Sequence, residues 1–248
     1  MDAGSLPPSD SLLRVEAEGR RMLALWRRGR LYNAGRLTLD ELLARPAAEI
    51  RAVLEATGAW PELDAARART LAPAEGQEVW AAGVTYLRSR SARVEESVQK
   101  NLYQRVYQAE RPELFFKAAG WRVVEDGGEI GVRPDSSWDV PEPELAVLSN
   151  SLGEVVAYSC GNDMCSRSIE GENPLYLPQA KVYDRSCSIG PAAVLAWNVD
   201  VRTARVRMTI ERDDVTVFDG AASLVVLVRD PAEMCSVLHS AYPLPVGA

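Results

Sequence analysis

The clearest hydrophobic pattern in the chain lies between Pro141 and Tyr158. The apolar run Leu145 to Leu148 predicts a strand, Asn150 to Gly153 predicts a turn, and Glu154 to Tyr158 predicts an antiparallel return strand. Pro141 and Pro143 have no backbone N–H to give to a neighbouring strand. We therefore expect the first strand to lie at the edge of a sheet.

Weaker patterns predict further elements on both sides of this hairpin. They include a buried strand from Val79 to Val84, a helix from Arg88 to Gln108, a short strand from Phe115 to Lys117, a loop from Cys165 to Pro178, a hairpin of 205–210 with 215–218, and a last helix that starts at Asp230. Near the N-terminus, Thr38 and Glu41 form a capping box for one helix, and Pro46 suits the start of another. The apolar segments 12–15 and 21–26 fit strands or a helix.

These elements suggest two folded units of unequal size. Residues 1–11 are polar and proline-rich, and we expect a disordered tail there. Residues 12–72 form a small N-terminal domain without a catalytic constellation, and residues 73–248 form the main domain. A chain of 248 residues is long enough to bury a substantial core.

Composition excludes several classes of function. The net charge is −7 and no basic cluster occurs, so no nucleic-acid binding is expected. No apolar run has the length of a membrane span, and no signal peptide is evident. We therefore expect a cytoplasmic protein without membrane contact. The four cysteines lack C-x-x-C spacing, so we expect free thiols rather than a zinc site.

Candidate chemistry lies on the predicted hairpin. Glu142 and Glu144 are two residues apart and leave the same face of a strand, while the return strand brings Asp163 back toward them. Three carboxylates without a nearby histidine suit Mg2+, with Mn2+ or Ca2+ as alternatives, and do not suit zinc. The competing interpretation is an ordinary solvated Glu-x-Glu face.

Four stretches of the sequence resemble the fumarylacetoacetate hydrolase family, and in particular its sugar-acid dehydratase branch. They are GVTY with RSR at residues 83–90, RPELFFKA at 111–118, WDVPEPEL at 138–145 with GNDM at 161–164, and IEGENPLYLPQAK at 169–181. The resemblance implies an α+β fold: a mainly β catalytic domain, a mixed β-sandwich roll, beside a small N-terminal α/β domain.

The resemblance also implies roles for individual residues. Glu142, Glu144 and Asp163 match the metal ligands, and Lys181 matches an amine that faces the substrate oxyanion. Glu113 matches an acidic residue proposed for proton transfer, while Ser89 and Arg90 match the loop that holds the substrate carboxylate. The catalytic pair is then Glu113 and Lys181, and Lys181 also binds substrate.

The activity implied is that of a metal-dependent carbon–oxygen lyase, a hydro-lyase of sugar-acid catabolism and pentose degradation. A 2-keto-3-deoxy sugar acid, 2-dehydro-3-deoxy-D-arabinonate, would lose water through a metal-stabilised enolate to give 2,5-dioxopentanoate. The family resemblance further implies a homo-oligomer, either a dimer or a tetramer.

Two alternatives stay open at this point. The first is a hydrolase or tautomerase acting on another 2-keto acid, although the single histidine, His239, lies outside every matched stretch. The second is a non-catalytic scaffold, because the family's C-terminal strand and its Thr-Gly-Thr-Gly turn are absent from this sequence. Retention of the three carboxylates and Lys181 favours an enzyme, since a cluster of buried carboxylates without a metal ion would cost stability.

Overall fold

A computed structural model describes residues 10–83 and 109–248 of the chain. The predicted strand from Val79 therefore ends in the described part at Gly83, while Ser89, Arg90 and the predicted helix from Arg88 to Gln108 lie outside it. The described chain is mostly β-structure with short helices. None of the helices in these two ranges is long and apolar enough to cross a membrane.

Fourteen strands are described. They are β1 (Ser11–Ala17), β2 (Arg20–Arg27), β3 (Arg30–Asn33), β4 (Glu62–Leu63), β5 (Arg69–Leu71), β6 (Glu78–Gly83), β7 (Glu113–Ala119), β8 (Asp139–Val140), β9 (Pro143–Ser149), β10 (Val155–Asp163), β11 (Cys165–Ser166), β12 (Cys187–Leu195), β13 (Arg205–Arg212) and β14 (Val215–Ser223). Five α-helices accompany them. They are α1 (Leu39–Leu43), α2 (Ala47–Glu55), α3 (Arg167–Glu172), α4 (Leu177–Lys181) and α5 (Pro231–Ala241).

Eight strands form the main sheet, in the order β4-β3-β2-β1-β12-β10-β9, with β5 also paired to β1. Three separate two-stranded sheets are formed by β6 with β7, β8 with β11, and β13 with β14. The main sheet joins the N-terminal strands to those of the main domain, since Ser11 and Leu12 pair with Val194 and Ala193. The proposed boundary near residue 72 stays a prediction.

Both faces of the N-terminal strands are buried, and this is why their sequences lack clear alternation. On one face, Leu12 and Leu25 pack with helices α1 and α2 through Leu42 and Ile50. On the other face, a second apolar cluster includes Leu13 and its neighbours on β1 and β2. Strands, rather than a helix, therefore account for the segments 12–15 and 21–26.

The capping residues behave as their sequence predicts. Thr38 accepts a hydrogen bond from the backbone of Glu41, and the Glu41 side chain accepts one from the backbone of Thr38, which completes the capping box of α1. Asp230 caps α5 by accepting from the backbone N–H of Ala232.

The predicted loop from Cys165 to Pro178 is wrong. The segment contains β11, helix α3, a 3-10 turn at Pro174–Tyr176 and the start of helix α4. Helices of five or six residues are too short to produce a recognisable hydrophobic period, and Gly171, Asn173 and two prolines suggest a loop. The correction matters because Arg167, Glu170 and Lys181 all lie on these helices.

Candidate metal and keto-acid site

The predicted hairpin forms and places the first two carboxylates at the sheet edge. Strand β9 is the last strand of the main sheet, and Glu144 lies opposite Gly161 of β10. The backbone N–H of Asp163 donates to the carbonyl oxygen of Glu142 at 2.9 Å. The backbone N–H of Glu142 in turn donates to the side-chain oxygen of Asn162 at 3.1 Å. The loop entering β9 is thereby fixed to the end of β10.

Lys181 joins the carboxylates of Glu142 and Asp163. Its Nζ donates to Oε2 of Glu142 at 2.7 Å and to Oδ2 of Asp163 at 2.9 Å. The Lys181 side chain is completely buried at the C-terminal end of α4. A buried ammonium is tolerated only when opposite charges compensate it, and here two carboxylates do so.

A second buried lysine, Lys117, approaches Asp163 from strand β7. Its Nζ lies 2.6 Å from Oδ1 of Asp163. Burial favours the neutral form of Asp163, but the charges of Lys181 and Lys117 outweigh this effect and hold the pKa of Asp163 below its ordinary value. Asp163 is therefore an ionised carboxylate between two ammonium groups.

Arg167 on α3 holds the other side of Glu142. It donates to Oε1 of Glu142 at 2.6 Å, and its second terminal nitrogen lies 3.3 Å from Oε2 of Glu170. Glu170 is buried and also accepts a hydrogen bond from the thiol of Cys165 at 2.9 Å. Burial raises the pKa of the Cys165 thiol, and the neighbouring Glu170 adds to this shift, so the thiol keeps its proton.

Sequence reasoning missed Lys117 and Arg167 as site residues. A signal for Lys117 was present, because Lys100, Lys117 and Lys181 are the only lysines among the 28 basic residues of the chain. Where arginine is used almost everywhere, a lysine within the apolar run LFFKAA indicates a position that requires a compact ammonium group. Arg167 gave no comparable signal, because its role depends on a helix that the sequence did not predict.

The cluster opens into a cavity of about 630 Å3. Its walls are mainly apolar side chains of β6, β7, β9, β13 and β14, and its polar lining includes Lys117, Glu142, Glu144, Asp163 and Arg167. Predominantly apolar walls with a few convergent charged groups are typical of small-molecule sites. Glu144 thus shares one cavity with Glu142 and Asp163.

The other predicted site residues are placed differently. Glu113 begins β7 and lies opposite Gly83 of β6, with the carboxyl group against the Gly83 backbone. His239 lies on α5, where its Nε2 is 3.1 Å from the hydroxyl of Ser149 at the far end of β9 from Glu144. Burial lowers the pKa of His239. The described structure therefore does not bring His239 to the carboxylate cluster.

The donor set fits a hard divalent cation. Each carboxylate has about four lone-pair positions, so Glu142 and Asp163 can accept bonds from lysine or arginine and still bind an ion. With all groups ionised, four carboxylates (Glu142, Glu144, Asp163, Glu170) face three cations (Lys117, Arg167, Lys181), and one net negative charge remains.

A different group, Glu142 with Cys165 and Glu170, has its ligand atoms within 4.8 Å of one another, whereas the ligand atoms of Glu142, Glu144 and Asp163 are not all this close in the described structure. It suits a metal less well, because burial and the neighbouring Glu170 raise the pKa of the Cys165 thiol and so disfavour the thiolate that would bind the ion.

Comparison with known proteins relates the chain to sugar-acid dehydratases. It is 53% identical over 174 residues to a probable 2-keto-3-deoxyxylonate dehydratase of Haloferax volcanii, a match that covers 69% of this chain and 60% of the relative. It is 38% identical over 184 residues to the 2-dehydro-3-deoxy-D-arabinonate dehydratase of Saccharolobus solfataricus, a match that covers 72% of this chain and 62% of the relative. The chain is a homologue of 2-keto-3-deoxy sugar-acid dehydratases.

Solved structures extend this relationship to the fold. A 2-keto-3-deoxy-D-arabinonate dehydratase complexed with magnesium and 2,5-dioxopentanoate superposes with a TM-score of 0.80 at 28% identity, over 96% of this chain and 85% of that one. A fumarylacetoacetate hydrolase from Exiguobacterium antarcticum gives a TM-score of 0.67 at 20% identity. The match covers 97% of this chain and 87% of the hydrolase, and it shows the shared fold. The chain has the fumarylacetoacetate hydrolase fold, and the α+β, mainly β prediction is confirmed.

Two further facts define the extent of these matches. No protein-family model matches the chain. The matches to the two curated dehydratases span 60% and 62% of the length of those relatives.

Proposed function

We propose that this sugar-acid dehydratase homologue is itself a metal-dependent hydro-lyase that removes water from a 2-keto-3-deoxy sugar acid. The observation that carries the proposal is that Glu142 and Asp163, which line one cavity together with Glu144, both bond the buried ammonium of Lys181. With these contacts, the three carboxylates would hold a divalent cation beside a second positive charge. The proposed substrate is 2-dehydro-3-deoxy-D-arabinonate or a stereoisomer, and the proposed product is 2,5-dioxopentanoate.

Glu142, Glu144 and Asp163 would hold Mg2+, and Mn2+ or Ca2+ could replace it because all three ligands are carboxylates. When bound, the ion supplies Lewis-acid stabilisation of negative charge on the keto oxygen. Lys181 would add a fixed positive charge on the same side of the substrate. A single positioned donor of this kind typically contributes about 2.7–4 kcal/mol of transition-state stabilisation.

Proton transfer is proposed for Glu113. Loss of a C3 proton and of the C4 hydroxyl releases one water molecule, and tautomerisation of the remaining allylic alcohol forms the C5 aldehyde of 2,5-dioxopentanoate. Glu113 would accept the C3 proton and return a proton to the leaving hydroxyl. Ser89 and Arg90, which lie outside the described residues, stay proposed ligands of the substrate carboxylate. A cytoplasmic homo-oligomer is likewise proposed.

The position of His239 argues against the hydrolase alternative. Family hydrolases need a base that activates water, and the chain's single histidine contacts Ser149 instead of the carboxylate cluster. The scaffold alternative predicts a folded protein without turnover. The charged network argues against it, because seven buried or half-buried charged side chains in one cluster cost desolvation energy that a scaffold would have no need of.

The first test is the melting temperature with Mg2+ alone and with Mg2+ plus 2-oxobutyrate, a non-reacting mimic of the keto-acid head. Ligand at about 100 times its Kd adds about 2.7 kcal/mol, which raises Tm by roughly 5 °C. The Mg2+-dependent shift should disappear in Glu144→Gln. If the parent protein shows no shift in melting temperature, the proposed site is overturned.

A panel of 2-keto-3-deoxy pentonates and hexonates, followed by NMR, then identifies the product. Products of C–C cleavage would favour the hydrolase.

A further inference from the structure

Lys117 is surrounded by oxygen atoms of the protein. Besides Oδ1 of Asp163 at 2.6 Å, its Nζ donates to the carbonyl oxygens of Met164 at 2.9 Å and of Lys181 at 2.5 Å. An ammonium group carries three N–H donors, and three acceptors lie within reach here. The ring of Tyr183 lies 6.0 Å from Nζ. Lys117 thus donates two hydrogen bonds to backbone carbonyls and forms an ion pair with Asp163.

The backbone of β7 directs Lys117 inward. Strands β6 and β7 pair Val79 with Ala118 and then Trp80 with Phe116, so Lys117 is an extra residue without a partner across the strand. A bulge of this kind changes the direction of a side chain and is frequent beside active sites. The bulge thus places a long cationic side chain in an interior where only 2% of Lys117 remains exposed.

Two of the three acceptors belong to residues that the proposed reaction needs, and the third is the carbonyl of Met164, which directly follows Asp163 in the chain. Asp163 is a proposed metal ligand, and Lys181, whose amine is the proposed partner of the substrate oxyanion, is the last residue of its helix. Ser186 donates to the same Lys181 carbonyl at 2.9 Å, which restrains this backbone further. A cation at the C-terminal carbonyls of a helix is also electrostatically favourable.

We propose that Lys117 is a positioning residue that fixes Asp163 and Lys181 relative to each other, so that the Asp163 carboxylate keeps the orientation in which it would bind the metal. The inference rests on the proposed function. A positioning role and a purely electrostatic role predict opposite changes in metal affinity. Loss of the positive charge beside Asp163 would by itself strengthen metal binding. Loss of positioning would weaken it.

The test is the Mn2+ affinity of Lys117→Met, measured by electron paramagnetic resonance of free Mn2+ on the folded protein. We expect affinity to fall about 10-fold to 100-fold, the usual effect of removing a partner that orients a metal ligand. The kcat should fall with it, while the KM for the keto acid changes less than about threefold, because the Lys117 ammonium contacts Asp163 and two backbone carbonyls and is not a proposed substrate ligand. Unchanged or tighter Mn2+ binding would overturn the proposal.

Two further variants serve as controls for effects of stability and of charge. Arg27→Met removes a half-buried cation that pairs with Asp10 at 2.7 Å and bonds Thr57 at 3.0 Å, far along the sheet from β9. It should lower Tm and leave Mn2+ affinity within about twofold.

Lys117→Arg keeps the positive charge but not the compact three-donor geometry of the ammonium group. This variant replaces Lys117→Met in the test if Lys117→Met does not fold. We expect it to bind Mn2+ at least about fivefold more weakly, and parent-like binding would reject the positioning role. A parent protein that binds no Mn2+ would instead reject the proposed function, together with this inference.

Discussion

Arg167 and Glu142 form an ion pair at 2.6 Å, with side-chain exposures of only 12% and 14%. Because Arg167 also reaches Glu170 at 3.3 Å, one planar guanidinium orients two carboxylates at once. A proposed metal ligand is thus held in place by a residue from a helix that the sequence pattern did not predict.

Arg167→Lys should weaken Mn2+ binding and lower kcat about 10-fold, because a single ammonium group cannot bond Glu142 and Glu170 in the same geometry. Charge is conserved in this substitution, so the change measures orientation. Calorimetric titration with Mn2+ gives the affinity. Parent-like affinity would show that the orientation of Glu142 does not depend on the guanidinium.

Asp163→Asn should destabilise the folded protein. The substitution leaves Lys117 and Lys181 buried with only Glu142 to compensate them, and breaking a buried ion pair from one side costs about 3–5 kcal/mol. Urea unfolding at pH 7 measures the change in the free energy of unfolding. A change below about 1 kcal/mol would mean that water reaches the two lysines.

The same variant has a defined pH signature. The pKa of Asp163 is lower in the folded protein than its ordinary value of about 3.9, so its contribution to stability is complete above that pH. The contribution of Asp163 to the free energy of unfolding is lost as pH falls from about 3.9 through the lower pKa of the folded protein. The difference between parent and Asp163→Asn in free energy of unfolding should therefore narrow in acid, and a constant difference from pH 7 to pH 2 would contradict this account.

Glu113 can be tested by removing its acidity or by displacing it. Glu113→Gln should lower kcat about 100-fold or more while the Mg2+-dependent Tm shift with 2-oxobutyrate persists. Gly83→Ala keeps the acid, but a Cβ at Gly83 would lie 2.7 Å from Cδ of Glu113 and force the carboxyl group to move. We expect an intermediate loss of kcat. Full activity in both variants would remove Glu113 from the proposed reaction.

His239 should control the pH dependence of stability near neutrality. Burial lowers its pKa, so the neutral form is favoured by folding, and the stability it contributes is present above the ordinary pKa of about 6.5 and falls as pH drops below it. Because the chain has one histidine, this dependence can be assigned to it. His239→Gln should flatten the melting temperature between pH 7.5 and 5.5, and kcat should change little.

The sequence predicted the parts of the site that local patterns determine. The prolines and the apolar run before Asn150 specify an edge strand and its turn, and together they bring Glu142 and Asp163 to one place. Lys117 depends on a bulge, which is a relation between two strands distant in sequence and leaves no local pattern. The short helices α3 and α4 are stabilised by tertiary contacts rather than by their own periodicity.

The pairing of Ser11 and Leu12 with β12 has a practical consequence for the expression of fragments. A fragment that starts near residue 73 would remove β1 and leave part of β12 as an open edge beside Ala193, which is almost completely buried in the intact fold. Open, apolar strand edges pair with other chains and aggregate. Recombinant production of the carboxylate cluster should therefore retain the N-terminal strands, even though they contribute no charged group to it.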